Sequence, residues 1–207
     1  LFHHYAAPPA PYLLSSSLCL MKTVHLFRSA LLTWFAAHQR PLPWRSDYKP
    51  YHVWIAEIMG QQTQMERVVA YFQRWLERFP DIPTLALASE QEVFKAWEGL
   101  GYYSRARNIR KTAALLMREH NGSLPDDEAS LLTLPGIGQY TAAAICSIAF
   151  NQPVPLVDAN VERLLCRVEN IADPPKQSAT RKRLLQLCAE LLPREYPRAF
   201  NQALMEL

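Results

Sequence analysis

The chain has 207 residues, 49% hydrophobic and 20% charged, with a net charge of +3. That length supports a real core in one or two domains and the composition excludes a disordered chain, while no apolar run reaches the roughly 20 residues a bilayer crossing needs. The small positive charge permits a polyanionic partner without requiring one.

Residues 1–20 carry Pro8, Pro9, Pro11 and the serines Ser15 to Ser17 but no Lys or Arg. This argues against a signal or transit sequence, and the expectation is an unstructured leader with the folded protein starting near Met21. From there helical periodicity dominates. Leu26, Leu31, Trp34 and Phe35 fall on one stripe, and Val68, Val69, Phe72 and Trp75 on another, with no competing strand alternation. Phe79-Pro80 stops a helix, Ser89 with Glu92 predicts a capping box and Asn121-Gly122 closes a further helix, so the reading is all-α with about ten short helices. The four cysteines, Cys19, Cys146, Cys166 and Cys188, form no CxxC pair. Free thiols in a reducing compartment suit them better than a metal site or a disulfide framework, and no metal site is assigned.

A helix from about His52 to Trp75 is weakened at Gly60, and Thr63 with Glu66 offers a fresh capping box, so a break is predicted at Gly60 to Gln62. Gln61 and Gln62 then lie on an exposed turn, which serves either as a solvated polar turn or as a probe of base edges and stacks. Just before it, Glu57 stands in Val53-Trp54-Ile55-Ala56-Glu57-Ile58-Met59, where every neighbour is apolar. Burial there demands either a salt bridge or a raised pKa; the second makes Glu57 a general acid near neutral pH.

Gly99-Leu100-Gly101-Tyr102-Tyr103 is followed by Ser104, Arg105, Arg107, Arg110 and Lys111. Aromatics on a glycine turn ahead of a basic helix start can wedge into a base stack and hold phosphates, or simply pack beneath a solvated basic face. Leu134-Pro135-Gly136-Ile137-Gly138 lies between a short helical stretch at Asp127 to Thr133 and a small-residue helix at Tyr140 to Phe150. It is equally an ordinary Gly-capped turn and a helix-hairpin-helix clamp that offers backbone N–H groups to a phosphate, with Leu134, Gly136, Ile137, Gly138 and Gln139 as the backbone-binding set. Asp158, in Val157-Asp158-Ala159-Asn160-Val161, opens a helix. It is an N-cap whose helix end favours the ionised carboxylate, and ionised it can also support a developing cation. A protonated and an ionised carboxyl are the pair that glycoside hydrolysis uses.

Taken in order, Leu42-Pro43-Trp44-Arg45, Pro50-Tyr51, Trp54, Glu57-Ile58-Met59, Gln61-Gln62-Thr63-Gln64, Gly99 to Tyr103, Leu134 to Gly138 and Asp158 to Val161 resemble the MutY family of adenine DNA glycosylases, over about residues 26–207. The resemblance implies a helix-hairpin-helix glycosylase fold: a six-helix barrel at 42–152 and a second helical domain from 22–41 and 153–207, with the active site between them. It implies that Glu57 protonates the flipped adenine and that Asp158 stabilises the sugar cation. Asn160 would orient water or that carboxylate. Tyr140 occupies the position where the endonuclease III branch carries a nucleophilic lysine, which implies base release without strong strand cleavage. Trp44, Arg45 and Gln202 would surround the adenine. Gln61 belongs to the adenine-type glutamine run, and Gln62 and Tyr102 would fill the stack beside the orphaned base.

Three departures stand out. Gly60 replaces a leucine of the family motif and Ala159 a common glycine. The helix at Phe200 to Leu207 resembles the one that leads into four cysteines binding a [4Fe–4S] cluster, and those cysteines are absent from this sequence. A truncated chain is therefore expected, with the cluster belonging to the full-length family. The expected partner is double-stranded DNA with A·8-oxoguanine or A·G mispairs, bound by a monomer near the nucleoid of a bacterial cytoplasm, with no membrane. A thymine or uracil mismatch glycosylase and a non-catalytic DNA-binding fragment remain the alternatives.

Overall fold

A computed structural model describes residues 13–207, with side chains from Thr23 onward. Of the expected leader, residues 1–12 lie outside the described residues, as does the side chain of Cys19. Residues 13–20, by contrast, are the first turns of helix α1 (Leu13–His38). No proline or glycine occurs from Tyr12 to Arg40, so nothing in that stretch halts the helix.

After a 3₁₀ turn at Pro43–Arg45 come α2 (Pro50–Gly60), α3 (Met65–Arg78), α4 (Ile82–Leu87), α5 (Glu90–Trp97) and α6 (Tyr103–Glu119). They are followed by α7 (Glu128–Leu132), α8 (Gln139–Ala144), α9 (Ala159–Val168), α10 (Ser178–Leu191) and α11 (Pro197–Glu206). The described residues contain no strand, and no helix is long and apolar enough to cross a membrane.

Caps explain most boundaries. The Ser89 hydroxyl accepts the Glu92 N–H at 3.2 Å while the Glu92 carboxylate accepts the Ser89 N–H at 2.9 Å, the reciprocal box read from sequence. Asp81 and Asp127 cap α4 and α7 in the same way, each accepting a backbone N–H at 2.8 Å. At the end of α6, Asn121 and Gly122 turn left-handed and the Gly122 N–H returns to the Leu116 carbonyl at 2.9 Å. The break at Gly60 to Gln62 is present, but the Thr63–Glu66 box is not. Gln64 is the N-cap residue of α3, and the Thr63 hydroxyl is turned back to the Gln61 carbonyl at 3.3 Å, which leaves it unavailable to the helix.

The buried side chains form two clusters. One runs from Leu42 to Leu156 and contains Trp54, Phe72, Trp75 and Trp97; Val68 and Val69 join it as the α3 stripe predicts. The other joins Leu31 and Phe35 of α1 to Val161, Leu165, Leu184, Leu192, Phe200 and Leu204. The α1 stripe differs from expectation by one residue. Leu26 is 68% exposed, and Phe27 takes its place, edge-on to Phe200 with ring centroids 6.2 Å apart. Arg28 then secures α1 to the C-terminal end of α10, donating to the carbonyls of Leu191 and Glu190 at 2.7 and 2.9 Å. Met205 of α11 packs against both clusters, so α11 lies along their boundary.

Candidate active site

A cleft of about 390 Å³ opens between the two clusters, with α2, α8, α9 and α11 contributing its walls. Its lining includes Trp44, Arg45, Glu57, Gln61, Gln62, Tyr140, Asp158, Asn160 and Gln202, so these nine sequence-predicted residues come together. Tyr102 and the hairpin residues Leu134, Gly136, Ile137, Gly138 and Gln139 lie outside it.

Glu57 is the one acidic residue of α2, a helix whose residues Val53, Trp54, Ile55, Ala56, Ile58 and Met59 are all buried. The carboxyl faces the cleft, and protein encloses it otherwise. Burial pushes its pKa up to about 7; a hydrogen bond from Tyr140 opposes the rise, Asp158 adds to it and Arg45 reduces it. The salt bridge that would otherwise keep such a glutamate ionised is directed elsewhere, because Arg45 pairs with Glu206 at 2.6 Å. Tyr140 is held far above its usual pKa by burial and by the carboxyls of Glu57 and Asp158, so it remains a phenol and a donor.

Asp158 caps α9, its Oδ1 accepting the Val161 N–H at 2.8 Å. The helix end favours its ionised form as expected, since the N–H groups of Val161 and Asn160, with Arg163, lower its pKa, but burial, which the sequence does not show, outweighs them and raises it overall. At this position lost hydration outweighs the cap. Asn160 braces the loop. Its amide nitrogen donates to the Met205 carbonyl at 3.3 Å and reaches Asp158 Oδ2 at 3.5 Å, while its oxygen accepts from Arg163 at 3.0 Å.

The opposite wall is a network. Arg45 donates Nε to Gln202 Oε1 at 2.7 Å and Nη1 to the Arg40 carbonyl at 3.0 Å, with its guanidinium carbon 5.4 Å from the Phe35 ring centre. Gln202 donates in turn to the Arg198 carbonyl at 3.2 Å and the Tyr48 hydroxyl at 3.4 Å. Trp44 is buried edge-on to Phe72, centroids 5.1 Å apart. The residue missing from the sequence reading is Glu206. Its nearly inaccessible side chain lines the cleft and accepts from both Arg40 and Arg45. The available signal was its spacing of four from Gln202, which puts both on one face of α11. Gly60 also lines the cleft, and a Cβ there would meet nothing within 4 Å.

The hairpin exposes its backbone at the surface. Leu134 and Ile137 are buried, whereas Gly136, Gly138 and Gln139 are exposed. A Cβ on Gly136 would approach Asn108 Cβ to 2.7 Å, and φ there is +80°, so glycine is required. The Thr112 hydroxyl holds the turn against α6 by donating to the Pro135 carbonyl at 2.8 Å. Beyond α8 the helix widens into a π-turn at Ile145–Ala149 in place of the uninterrupted helix predicted to Phe150. Arg198 satisfies its carbonyls, donating to Ile148 at 2.5 Å and Ala149 at 2.9 Å, which fastens α11 to the cleft floor.

The basic start of α6 is only partly a free face, with Arg107 and Lys111 exposed. Arg105 is buried, Arg107 pairs with Glu90 at 3.3 Å and Arg110 donates to the Ala88 carbonyl at 2.7 Å. Tyr102 is 64% exposed with a left-handed backbone, a geometry shared by Gln62.

The cluster implied for the full-length family finds no ligand set here. Cys146 and Cys188 are buried in different hydrophobic clusters, Cys166 is half-buried, and no group of three or more potential ligands occurs among the described residues.

An all-helical chain with a glycine hairpin beside a carboxylate-lined cleft has the architecture of the helix-hairpin-helix DNA repair fold. A solved thermostable thymine-DNA glycosylase matches 90% of this chain and 86% of its own, with a TM-score of 0.79 at 26% identity. An endonuclease III–DNA complex matches with a TM-score of 0.74 over 89% of this chain and 83% of its own; at 23% identity it speaks to the fold alone. Residues 55–190 match the model of the HhH-GPD superfamily of base excision DNA repair proteins, and the chain belongs to that family. Its relatives include the adenine DNA glycosylase of Mus musculus, 42% identical over 97% of this chain, and that of Mycobacterium tuberculosis, 41% identical over 88% of it. The chain spans 40% and 60% of those two proteins.

Proposed function

We propose that this chain is the catalytic part of a DNA glycosylase that flips adenine out of A·8-oxoguanine or A·G pairs and hydrolyses its N-glycosidic bond. The observation that carries the reading is Glu57, a carboxyl raised to about 7 by burial in a cleft that also holds Asp158. Near neutral pH a large fraction of Glu57 is protonated, and it delivers that proton to a ring nitrogen of the base as the C1′–N bond breaks and its electron pair leaves with adenine. Asp158 offsets the charge of the oxocarbenium-like sugar, and water adds at C1′. Tyr140 stands beside Glu57 as a neutral donor with no amine to form a Schiff base, which favours hydrolysis over strand cleavage.

Gln61 and Gln62 border the cleft, and Tyr102 is exposed on a neighbouring turn; by this reading Gln62 and Tyr102 fill the stack that the flipped base vacates, offsetting an unstacking cost of a few kcal/mol. Trp44, Arg45 and Gln202 form the base-binding wall. Gly136, Gly138 and Gln139, seated on the buried Leu134 and Ile137, hold the phosphate backbone. The two hydrophobic clusters support a division into a barrel at 42–152 and a second domain from 22–41 and 153–207. Action as a monomer in a reducing bacterial cytoplasm fits the free thiols of Cys146, Cys166 and Cys188.

The likeness to a thymine-DNA glycosylase, together with Ala159, supports a second reading in which thymine or uracil opposite guanine is released. Single-turnover base release by the chain and its Glu57→Gln variant on A·8-oxoguanine, A·G, T·G and A·T duplexes separates the two. Adenine release from the first two duplexes, lost in the variant, is the expected result. Thymine release establishes the second reading. DNA binding without release makes the chain a binding fragment, and equal activity of wild type and variant removes Glu57 from its role.

A further inference from the structure

We infer that Arg105 is a positioning residue that locks the turns carrying Gln62 and Tyr102 into one rigid double wedge, so that both enter the duplex together; this rests on the stack-filling role proposed for those two side chains. Arg105 lies in the first turn of α6 and is 9% exposed, too enclosed to serve as a phosphate contact. Its Nη1 donates to the carbonyls of Ile58 at 2.9 Å, Met59 at 3.1 Å and Gln61 at 2.7 Å, the end of α2 and the turn beyond it. Its Nη2 donates to the carbonyls of Leu100 at 3.1 Å and Gly101 at 3.4 Å, on the second turn. Among the described residues no other side chain bonds to both turns.

The two sets of acceptors are about forty residues apart in the chain, so the planar guanidinium fork supplies a connection that no local interaction offers. A positive charge also suits the carbonyl end of α2. The guanidinium carbon lies 5.6 Å from the Tyr102 ring centre and 5.2 Å from that of Trp97, so the exposed tyrosine rests on the same group that fixes its backbone. Immediately beyond each held carbonyl, a non-glycine residue adopts a left-handed backbone, Gln62 at φ 57° and Tyr102 at φ 48°. Such conformations persist where surrounding contacts over-determine them, and here Arg105 supplies those contacts to both. Lysine in its place keeps the charge but cannot span two groups of acceptors in one plane.

The test uses the chain with Arg105→Lys, Gln62→Ala, Tyr102→Ala, the double variant of the last two, and the triple variant. A fluorescent 2-aminopurine beside the mispair reports base extrusion, and single-turnover release reports chemistry. Arg105→Lys should cut extrusion and release by about ten- to a hundredfold, since small misplacements have effects of that size, while the pH midpoint of release stays where Glu57 sets it. The triple variant should be little worse than Gln62→Ala with Tyr102→Ala. Wild-type extrusion by a folded Arg105→Lys chain, or losses that simply multiply, would overturn the inference. If Gln62→Ala and Tyr102→Ala leave extrusion unchanged, the stack-filling reading fails first and the wedge with it. If Arg105→Lys does not fold, amide exchange of the wild type decides: a common opening rate at the two turns supports the lock, and unrelated rates overturn it.

Discussion

Two carboxylates of the cleft, Glu57 and Asp158, share a sign of pKa shift and differ in what opposes it. Glu57 lies inside α2, where each backbone N–H is committed to the helix, so its only counterweights are a phenol and a displaced guanidinium. Asp158 is the cap residue just before α9, where free N–H groups are available and Val161 donates one at 2.8 Å. Position along a helix, more than residue type, therefore separates a proton donor from a charge stabiliser.

The most damaging way to break this division is Glu57→Gln, which keeps the shape and removes the proton; single-turnover adenine release should fall by about a thousandfold with duplex affinity retained. Asp158→Asn keeps an oxygen for the Val161 N–H while deleting the charge, so release should fall by about a hundredfold with little change in melting temperature. Asp158→Ala should lose about 1 kcal/mol more, the value of the cap.

Stability against pH sharpens the contrast. Because the folded pKa of Glu57 is raised, the folded state binds more protons than the unfolded one between the ordinary carboxyl range and about 7, and stability falls as pH rises through that window. Glu57→Gln should therefore match the wild type at low pH and exceed it by about 3 kcal/mol at neutral to alkaline pH, as thermal unfolding would record. The smallest effect belongs to Tyr140→Phe. The lost hydrogen bond lowered the Glu57 pKa, so its removal should raise that pKa and shift the alkaline limb of the rate profile upward, with release changing only about severalfold.

Much of this site was legible because its residues conflict with their surroundings. A glutamate among apolar neighbours marks α2, a glycine inside a periodic run marks the break after it, and an aspartate before Val161 marks a cap. What was not legible depends on distance in the chain. Arg45 meets Gln202 across 157 residues, and only a spacing of four from Gln202 sets Glu206 apart from a surface glutamate. Arg105 reads as a solvated cation because its acceptors are carbonyls on another helix and two turns. The choice of Phe27 over Leu26 is similar: both fit a helical stripe with Leu31 and Phe35, and Phe200 decides between them. The sign of the Asp158 shift also needed the fold, since the cap is visible in sequence and the burial is not.

The most direct measurement is a carbon-13 NMR titration of the Glu57 carboxyl, with Glu57→Gln identifying the resonance. The account predicts a midpoint near 7. A midpoint in the ordinary carboxyl range would contradict it, leaving Glu57 ionised at neutral pH and without a proton to give.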